Sequence, residues 1–431
     1  MVDTGDLVKI TTKDEVVEGI LMPSHEKEVT IVKLESGYNL GLTTKKIKDI
    51  KLVKKHKETK SKKEKQTTNK DLPTISILHT GGTIASKVDY KTGGVNAEFT
   101  PEEILSMFPE IKDHANIESR LIRNMWSEDM RFSHYNVMAE EIKKEIEKGV
   151  DGIVLTQGTD TLHYTSAALK LMLDNLPVPV LVVGSQRSSD RSSSDAKLNL
   201  LSAILFISKT DFADVGICMH ASTEDEDNFI LPALKSRKLH SSRRDAFRPI
   251  NAKPYATVNF NKNKIHFLSK KYNKRSDSKL EIKLFKEKIK VALLKIHPNM
   301  HKEQFEFFKN YDGLVLEGFG VSGNLPINQN DDSTKEHEKI AKTLKSLSEN
   351  TVLVASTQCI YGRIDMNVYS TGRKMIDLGI CGNYHDMTPE TTFIKLAWLL
   401  SNYKKNEVAK LMETNLKGEI NDRIEIDEFL Y

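Results

Sequence analysis

"ILHTGGTIAS", residues 77–86, ends an apolar run with a threonine, two glycines and another threonine, then resumes apolar. Glycine doublets weaken strands and helices, so this one is there for its backbone: it lets a chain turn sharply and approach a ligand closely. The run before it, "TISILHT" (74–80), has the β-rich composition of a short strand. The stretch therefore predicts a strand that stops at a glycine turn bearing hydroxyls.

From Leu72 outward the same grammar repeats. "DGIVLTQ" (151–157), "VPVLVVGSQ" (178–186) and "DVGICMH" (214–220) are strands, alternating with helical patterns in "SHYNVMAEEIKKEIEKG", "TLHYTSAALKLMLDNL" and "DAKLNLLSAILFIS". "TPEEILSMFP" opens a helix through the capping box Thr100–Glu103 with Pro101 in the first turn. GIVL and PVLVV are apolar at every position, as strands covered on both faces must be. Strand–helix alternation with right-handed crossovers predicts an α/β, doubly wound parallel sheet. "ATVNFNKNKIHFL" (256–268) reads as a hairpin turning at Asn261–Asn263.

The lysine-rich stretch 270–288 leads to a second set. It comprises "KVALLKIHP", helix "KEQFEFFKN", "DGLVLEGFG", helix "KEHEKIAKTLKSLSEN" and "TVLVASTQ", then helices "TPETTFIKLAWLLSN" and "NEVAKLMETNL". Upstream, residues 1–53 hold short strand-like runs that predict a small β-barrel, whose closure would hide sheet edges. The lysine-rich tract 54–70 has almost no apolar residues to offset the entropy of ordering. It reads as a linker, with contact to RNA phosphates as the alternative. The expected units are thus 1–53, a linker at 54–71, a catalytic unit at 72–280 and a smaller α/β unit at 281–431.

With 431 residues and a net charge of +4, composition fits a soluble globular chain and gives no strong prior for nucleic acid. No stretch is long and apolar enough for a membrane span, and the first residues lack a signal-peptide pattern. Cys218, Cys359 and Cys381 are three, far apart and never CxxC, so they read as reduced, mostly buried thiols of a cytoplasmic protein, with no metal expected.

Ligands of open α/β sheets bind beyond the carboxyl ends of the strands. Glycine-bearing turns fall there at 79–85, 156–165, 184–199 and 317–326. None is a dinucleotide or Walker motif, so no ATP use by this chain is expected. Each threonine in these turns has an ordinary structural reading as a strand or cap residue. Two Gly-Thr turns at neighbouring strand ends, one followed by Asp160, point further. A hydroxyl attacks an amide only if a base takes its proton and donors hold the oxyanion. A nearby lysine is a candidate base, and backbone around Gly82 and Gly158 is a candidate oxyanion site. His79 and His163 read as structural, and there is no GxSxG elbow.

"TGGTIAS" and "TQGTDTLHYTS" (156–166) resemble the two signatures of bacterial-type L-asparaginases, "WSEDM" (126–130) their substrate loop, and "VGSQRSSDRSSSDAKLNL" their post-strand loop. With the extra N-terminal unit, "RKLHSSRRDAF" (237–247) and the C-terminal tail, the whole length resembles the D-subunit family of archaeal glutamyl-tRNA(Gln) amidotransferases. That resemblance implies two-domain asparaginase-like α/β architecture and an amidohydrolase site with Thr83, Thr159, Asp160 and Lys238 as catalytic residues. Tyr90, Ser127, Glu128 and Ser185 would meet substrate. Either Thr83 attacks with help from Tyr90, or Thr159 attacks with Lys238 as base. Glu128 stands where many asparaginases carry glutamine. The resemblance further implies L-glutamine as substrate and a homodimer in which the "GFGVSGN" loop completes a neighbour's site. It also implies an E subunit that binds Glu-tRNA(Gln) and carries ATP and Mg, this chain holding no cofactor. The alternatives are a free-standing L-asparaginase with an extra N-terminal domain and a non-catalytic adaptor on a dead enzyme fold.

Overall fold

The computed structural model describes residues 2–24, 26–36, 38–55, 69–82, 87–88, 95–96, 101–189, 191 and 193–429. The expected linker is largely, and Thr100 of the capping box wholly, outside them.

Residues 7–54 form a five-stranded antiparallel sheet, whose order along the sheet is Asn39–Thr43, Val29–Lys33, Val16–Met22, Leu7–Thr12 and Ile47–Lys54. Its two end strands are joined through a single turn at Thr44–Lys46 and both lend side chains to one small core, with Val8, Ile10, Val17, Val32 and Leu42 buried at its centre. The unit is barrel-like because sharing that core requires the sheet to curl. It rests on the body: the Arg191 guanidinium lies 5.3 Å from the centre of the Tyr38 ring.

The central sheet has eight strands. Five run parallel, in the order Asn116–Leu121, Thr74–His79, Gly152–Thr156, Val180–Val183 and Val215–His220. Every residue of 152–156, 180–183 and 215–220 is buried, which accounts for their unbroken apolar composition. Beyond Val215–His220 the sheet continues antiparallel through Asn228–Pro232, Ala256–Asn259 and Lys264–Phe267. The link from His220 to Asn228 is too short for a crossover helix, so the chain must fold straight back. The last two strands are the expected hairpin, with Asn263 at φ 52° in its turn. Helices Phe132–Glu147, Leu162–Met172 and Ala196–Lys209 cover the faces. The first of these stops at Gly149, whose φ of 91° admits glycine most readily.

Some helical patterns run past the helices. The 161–176 pattern stops at Met172, because Leu173–Asp174 leave to pair with Glu281–Ile282. "KEQFEFFKN" forms one helical turn, Glu303–Glu306, followed by hydrogen-bonded turns. Of the three cysteines, all free, Cys218 is buried, Cys381 half-buried and Cys359 exposed.

The second α/β unit is a four-stranded parallel sheet, Val291–Lys295, Gly313–Gly318, Val352–Thr357 and Ile380–Cys381. Its helix Pro389–Asn402 starts sharply: Thr388 Oγ1 accepts from the Thr391 N–H at 3.2 Å and Pro389 sits at the first position. This helix packs on Leu162–Met172 of the first unit, and Trp398, Leu396 and Leu399 join Leu169 and Met172 in one continuous core.

Burial holds His79 and His385 neutral, each down at about 4 against an ordinary 6.5. Protons bind the unfolded chain first, so their contribution to stability is intact above pH 6.5 and is lost as pH falls toward 4. Each should cost about 2 kcal/mol at pH 5 relative to pH 7. The thermal midpoint, measured by calorimetry from pH 7.5 to 5, is expected to fall with an onset near 6.5, and less steeply in H79Q. A flat profile would contradict this assignment.

Candidate active site

Strand register decides where the glycine turns emerge. His79 is level with Thr156, Thr156 with Val183, and His79 with Leu121. The chain segments following these four residues therefore leave the same edge of the sheet side by side.

They are packed too closely for ordinary side chains. Gly81 and Gly82 have φ of 104° and 85°. A Cβ on Gly82 would fall 2.4 Å from the Gly158 nitrogen, and one on Gly81 2.5 Å from the Met125 carbonyl oxygen. The glycine doublet thus lets the first turn lie directly on the second and on the 124–127 segment. Thr80 locks it there by donating from Oγ1 to the Thr156 carbonyl at 2.9 Å. Thr161 Oγ1 donates to the Ser127 carbonyl at 2.7 Å, which ties the "WSEDM" segment to the Gly-Thr-Asp turn.

Lys238 closes the group. It ends the short strand Ser236–Lys238, paired with Phe247–Pro249. Its Nζ donates to Thr159 Oγ1 at 2.8 Å and to Asp160 Oδ1 at 2.9 Å. Thr159 is buried, the Lys238 side chain nearly so, and Asp160 is exposed. The arrangement is a hydroxyl, an amine and a carboxylate in direct hydrogen-bonded contact, which is what activation of a hydroxyl by a base requires.

Ser127 is buried beside this contact, since a Cβ on Gly158 would meet its side chain at 3.1 Å. Ser127 and Glu128 lie in one turn, Oγ to Oε2 at 3.4 Å. Gly184 packs against Thr159, which brings the start of the Ser185 loop to the same place. Ser185 donates to the Arg187 carbonyl and lies 3.3 Å from Asp195 Oδ1. Thr83 and Tyr90 lie outside the described residues.

His79 and His163 are structural. His79 bridges Thr156 Oγ1 at 2.8 Å and Ser119 Oγ at 2.9 Å. His163 is buried against Tyr164 and Phe247. Burial first, then the charges of Arg237 and Lys238, push it down to about 3, so it stays neutral. Among the described residues one cluster has metal-ligand spacing, His301, Glu303 and Glu336, in the second unit and sharing no residue with this site.

Two contributors are not visible in the sequence. Asp195 accepts from the Gln186 and Arg187 N–H groups and from Asn199 Nδ2, and so folds the Ser185 loop. Its place before an apolar helical run reads as an N-cap, yet its carboxylate caps no helix N–H and bonds instead the loop N–H groups and the Asn199 side chain. Arg237 pairs with Glu390 across the two α/β units at 2.8 Å, a contact no local pattern announces.

Three families match the chain: GatD N-terminal domain over residues 2–53, asparaginase N-terminal over 74–273, and glutaminase/asparaginase C-terminal domain over 290–412. Similar along its whole length is the D subunit of glutamyl-tRNA(Gln) amidotransferase from Pyrococcus furiosus, 40% identical over 442 residues, covering 100% of this chain and 97% of the relative. The protein of the same name from Methanococcus maripaludis is 40% identical over 431 residues, covering 99% and 100%. Among solved structures, the thermostable L-asparaginase of Thermococcus kodakarensis superposes with a TM-score of 0.70 at 28% identity, over 81% of this chain and 100% of its own. L-asparaginase I of Vibrio cholerae gives 0.69 at 26%, over 81% and 99%.

The packing at Gly184 gives a direct test. A Cβ there would fall 2.8 Å from Thr159 Cγ2 and 2.9 Å from Leu162 Cδ1. Thr159 is β-branched and cannot swing aside easily. G184A should therefore displace Thr159 and lower turnover by about tenfold to a hundredfold, with the fold retained. A wild-type rate in steady-state assays would show that the position of Thr159 does not limit the reaction.

Proposed function

The chain belongs to the D-subunit family of glutamyl-tRNA(Gln) amidotransferases, and on that premise we propose that its Thr159–Asp160–Lys238 cluster hydrolyses glutamine. It is the glutaminase subunit of a tRNA-dependent amidotransferase, supplying ammonia for conversion of Glu-tRNA(Gln) to Gln-tRNA(Gln). The observation that carries this reading is the kinship along the whole length, N-terminal unit included. A free-standing L-asparaginase is the weaker reading, because the solved asparaginases leave about a fifth of the chain unmatched.

The chemistry proceeds through an acyl-threonine. A threonine oxygen attacks the side-chain amide carbon and its proton passes to a base; the base hands that proton to the amide nitrogen as the C–N bond breaks, releasing ammonia. Water then cleaves the ester, freeing glutamate and restoring the hydroxyl. Lys238 touches Thr159 and is the base if Thr159 attacks. Thr83, helped by Tyr90, is the other candidate nucleophile. Asp160 holds Lys238 and meets the substrate ammonium, Ser127 and Glu128 bind its two charged α-substituents, and Ser185 approaches the amide. Backbone at Gly82 and Gly158 takes the developing oxyanion.

The partner that binds tRNA is assigned to an E subunit, with ATP and Mg on it, and the assembly contains a homodimer in the cytoplasm. Among the described residues no helix is long and apolar enough to cross a membrane. The homodimer is supported by the "GFGVSGN" loop, where Phe319 and Val321 are each 39% exposed. The unit boundaries are placed at 53/54, 71/72 and 280/281, and the barrel-like unit is assigned to contact with the partner or RNA.

Glutamine and asparagine hydrolysis should be measured for the chain alone and with partner and Glu-tRNA(Gln). Glutamine hydrolysis is expected to rise on addition of both. Strong asparagine turnover by the chain alone would favour the weaker reading. T83A, T159A and K238M should each lower glutaminase activity by about a hundredfold or more without unfolding. Near-wild-type activity in any one removes that residue from the mechanism. Deleting residues 1–70 should lower tRNA amidation more than glutamine hydrolysis; equal rates before and after would exclude a recruiting role.

A further inference from the structure

The strand that presents Lys238 is short and is held from both α/β units. It has three residues, and its ladder partner is the three-residue strand Phe247–Pro249. Residues 386–391 of the second unit, at the start of helix Pro389–Asn402, grip it and the residues just before it. Lys235 Nζ lies 2.6 Å from Asp386 Oδ1, Thr391 Oγ1 donates to the Leu234 carbonyl at 3.0 Å, and Arg237 Nη2 lies 2.8 Å from Glu390 Oε1.

Of these, the Arg237–Glu390 pair adjoins the chemistry. Successive side chains of a strand point to opposite faces. Arg237 therefore projects toward Glu390 while Lys238 projects toward Thr159. Anchoring one side fixes the strand's rotation about its axis, and with it the aim of the other. Glu390 is buried, with its side chain 9% exposed, so its carboxylate has little water to turn to and depends on Arg237. A guanidinium is also the group best suited to hold a carboxylate in one orientation.

We propose that Glu390 is a positioning residue for Lys238, acting through Arg237, so that the second α/β unit sets the geometry of the reaction in the first. This rests on the reading of Lys238 as a catalytic group. Removing Glu390 would leave Thr159, Asp160 and Lys238 chemically intact and the other grips in place, but would release the one contact adjoining Lys238 and loosen its aim. The loss should appear in kcat, since the substrate-binding residues Ser127, Glu128 and Ser185 sit on other segments.

The test is steady-state glutamine hydrolysis by the full chain with its partner, comparing E390Q, R237Q, the double variant and E390D, with thermal midpoints recorded alongside. E390Q and R237Q should each lower kcat by about tenfold with KM within about twofold. The double variant should be no slower than the worse single variant, because both remove one interaction. E390D, which keeps the charge, should recover part of the loss. Unchanged kcat in E390Q, fully additive losses, or a loss in proportion to unfolded protein at the assay temperature would each overturn the proposal. K238M in the same assay separates the two layers. If K238M is inactive while E390Q is unaffected, only the positioning role fails. If K238M is active, the catalytic reading beneath it fails.

Discussion

The contact between Lys238 and Thr159 joins residues 79 apart in the chain, and the rest of the site is arranged around it. It exists because a parallel sheet delivers strand ends in register. His79, Leu121, Thr156 and Val183 finish level, so the segments after them share one edge. A slip of one residue would exchange the two faces of a strand, and in a close-packed interior the side chains fitted to one face do not fit the other.

At that edge space is the scarce quantity. At Gly81, Gly82 and Gly184 the backbones or side chains of neighbouring segments already occupy the position a Cβ would take, and at Gly158 a Cβ would press on Ser127. Hydroxyls then do two different jobs. Thr80, Thr156 and Thr161 spend theirs on carbonyls and on His79, fastening loop to loop. Thr159 Oγ1 instead accepts from an amine, Lys238 Nζ. A hydroxyl that fastens one loop to another and one that meets an amine differ in the partner, not in the residue type.

Buried charge binds the C-terminal tail to the second unit, and the second unit to the first. Lys395 and Glu419, both fully buried, lie 2.6 Å apart, and Lys235 and Asp386 repeat the arrangement with 2% and 0% exposed side chains. Burial lowers both lysines and the facing carboxylates oppose the shift. Breaking one such pair by removing a partner typically costs about 3–5 kcal/mol, whereas the intact pair adds little over well-packed apolar groups. Their effect is orientation: an ion pair has one good geometry where an apolar contact has many. That is why the seam between the units can carry positional information to residues 234–238.

Much of this was legible one residue at a time. The apolar runs GIVL and PVLVV declare a doubly covered strand, and the Gly-Thr turns declare strand ends where a ligand could sit, because both depend on local backbone and composition. Helix ends are less legible: Leu173–Asp174 leave the helix for a strand 107 residues further on, at Glu281, and no local propensity reports that. Sequence alone therefore determined the α/β class, the candidate threonines and the family likeness that pointed to Lys238. Only the tertiary structure decided which hydroxyl meets the amine, that Asp195 folds the Ser185 loop, and that Glu390 reaches Arg237. Those contacts join segments far apart in the chain, and their distances are set by sheet register and unit packing, quantities that no short stretch of sequence contains.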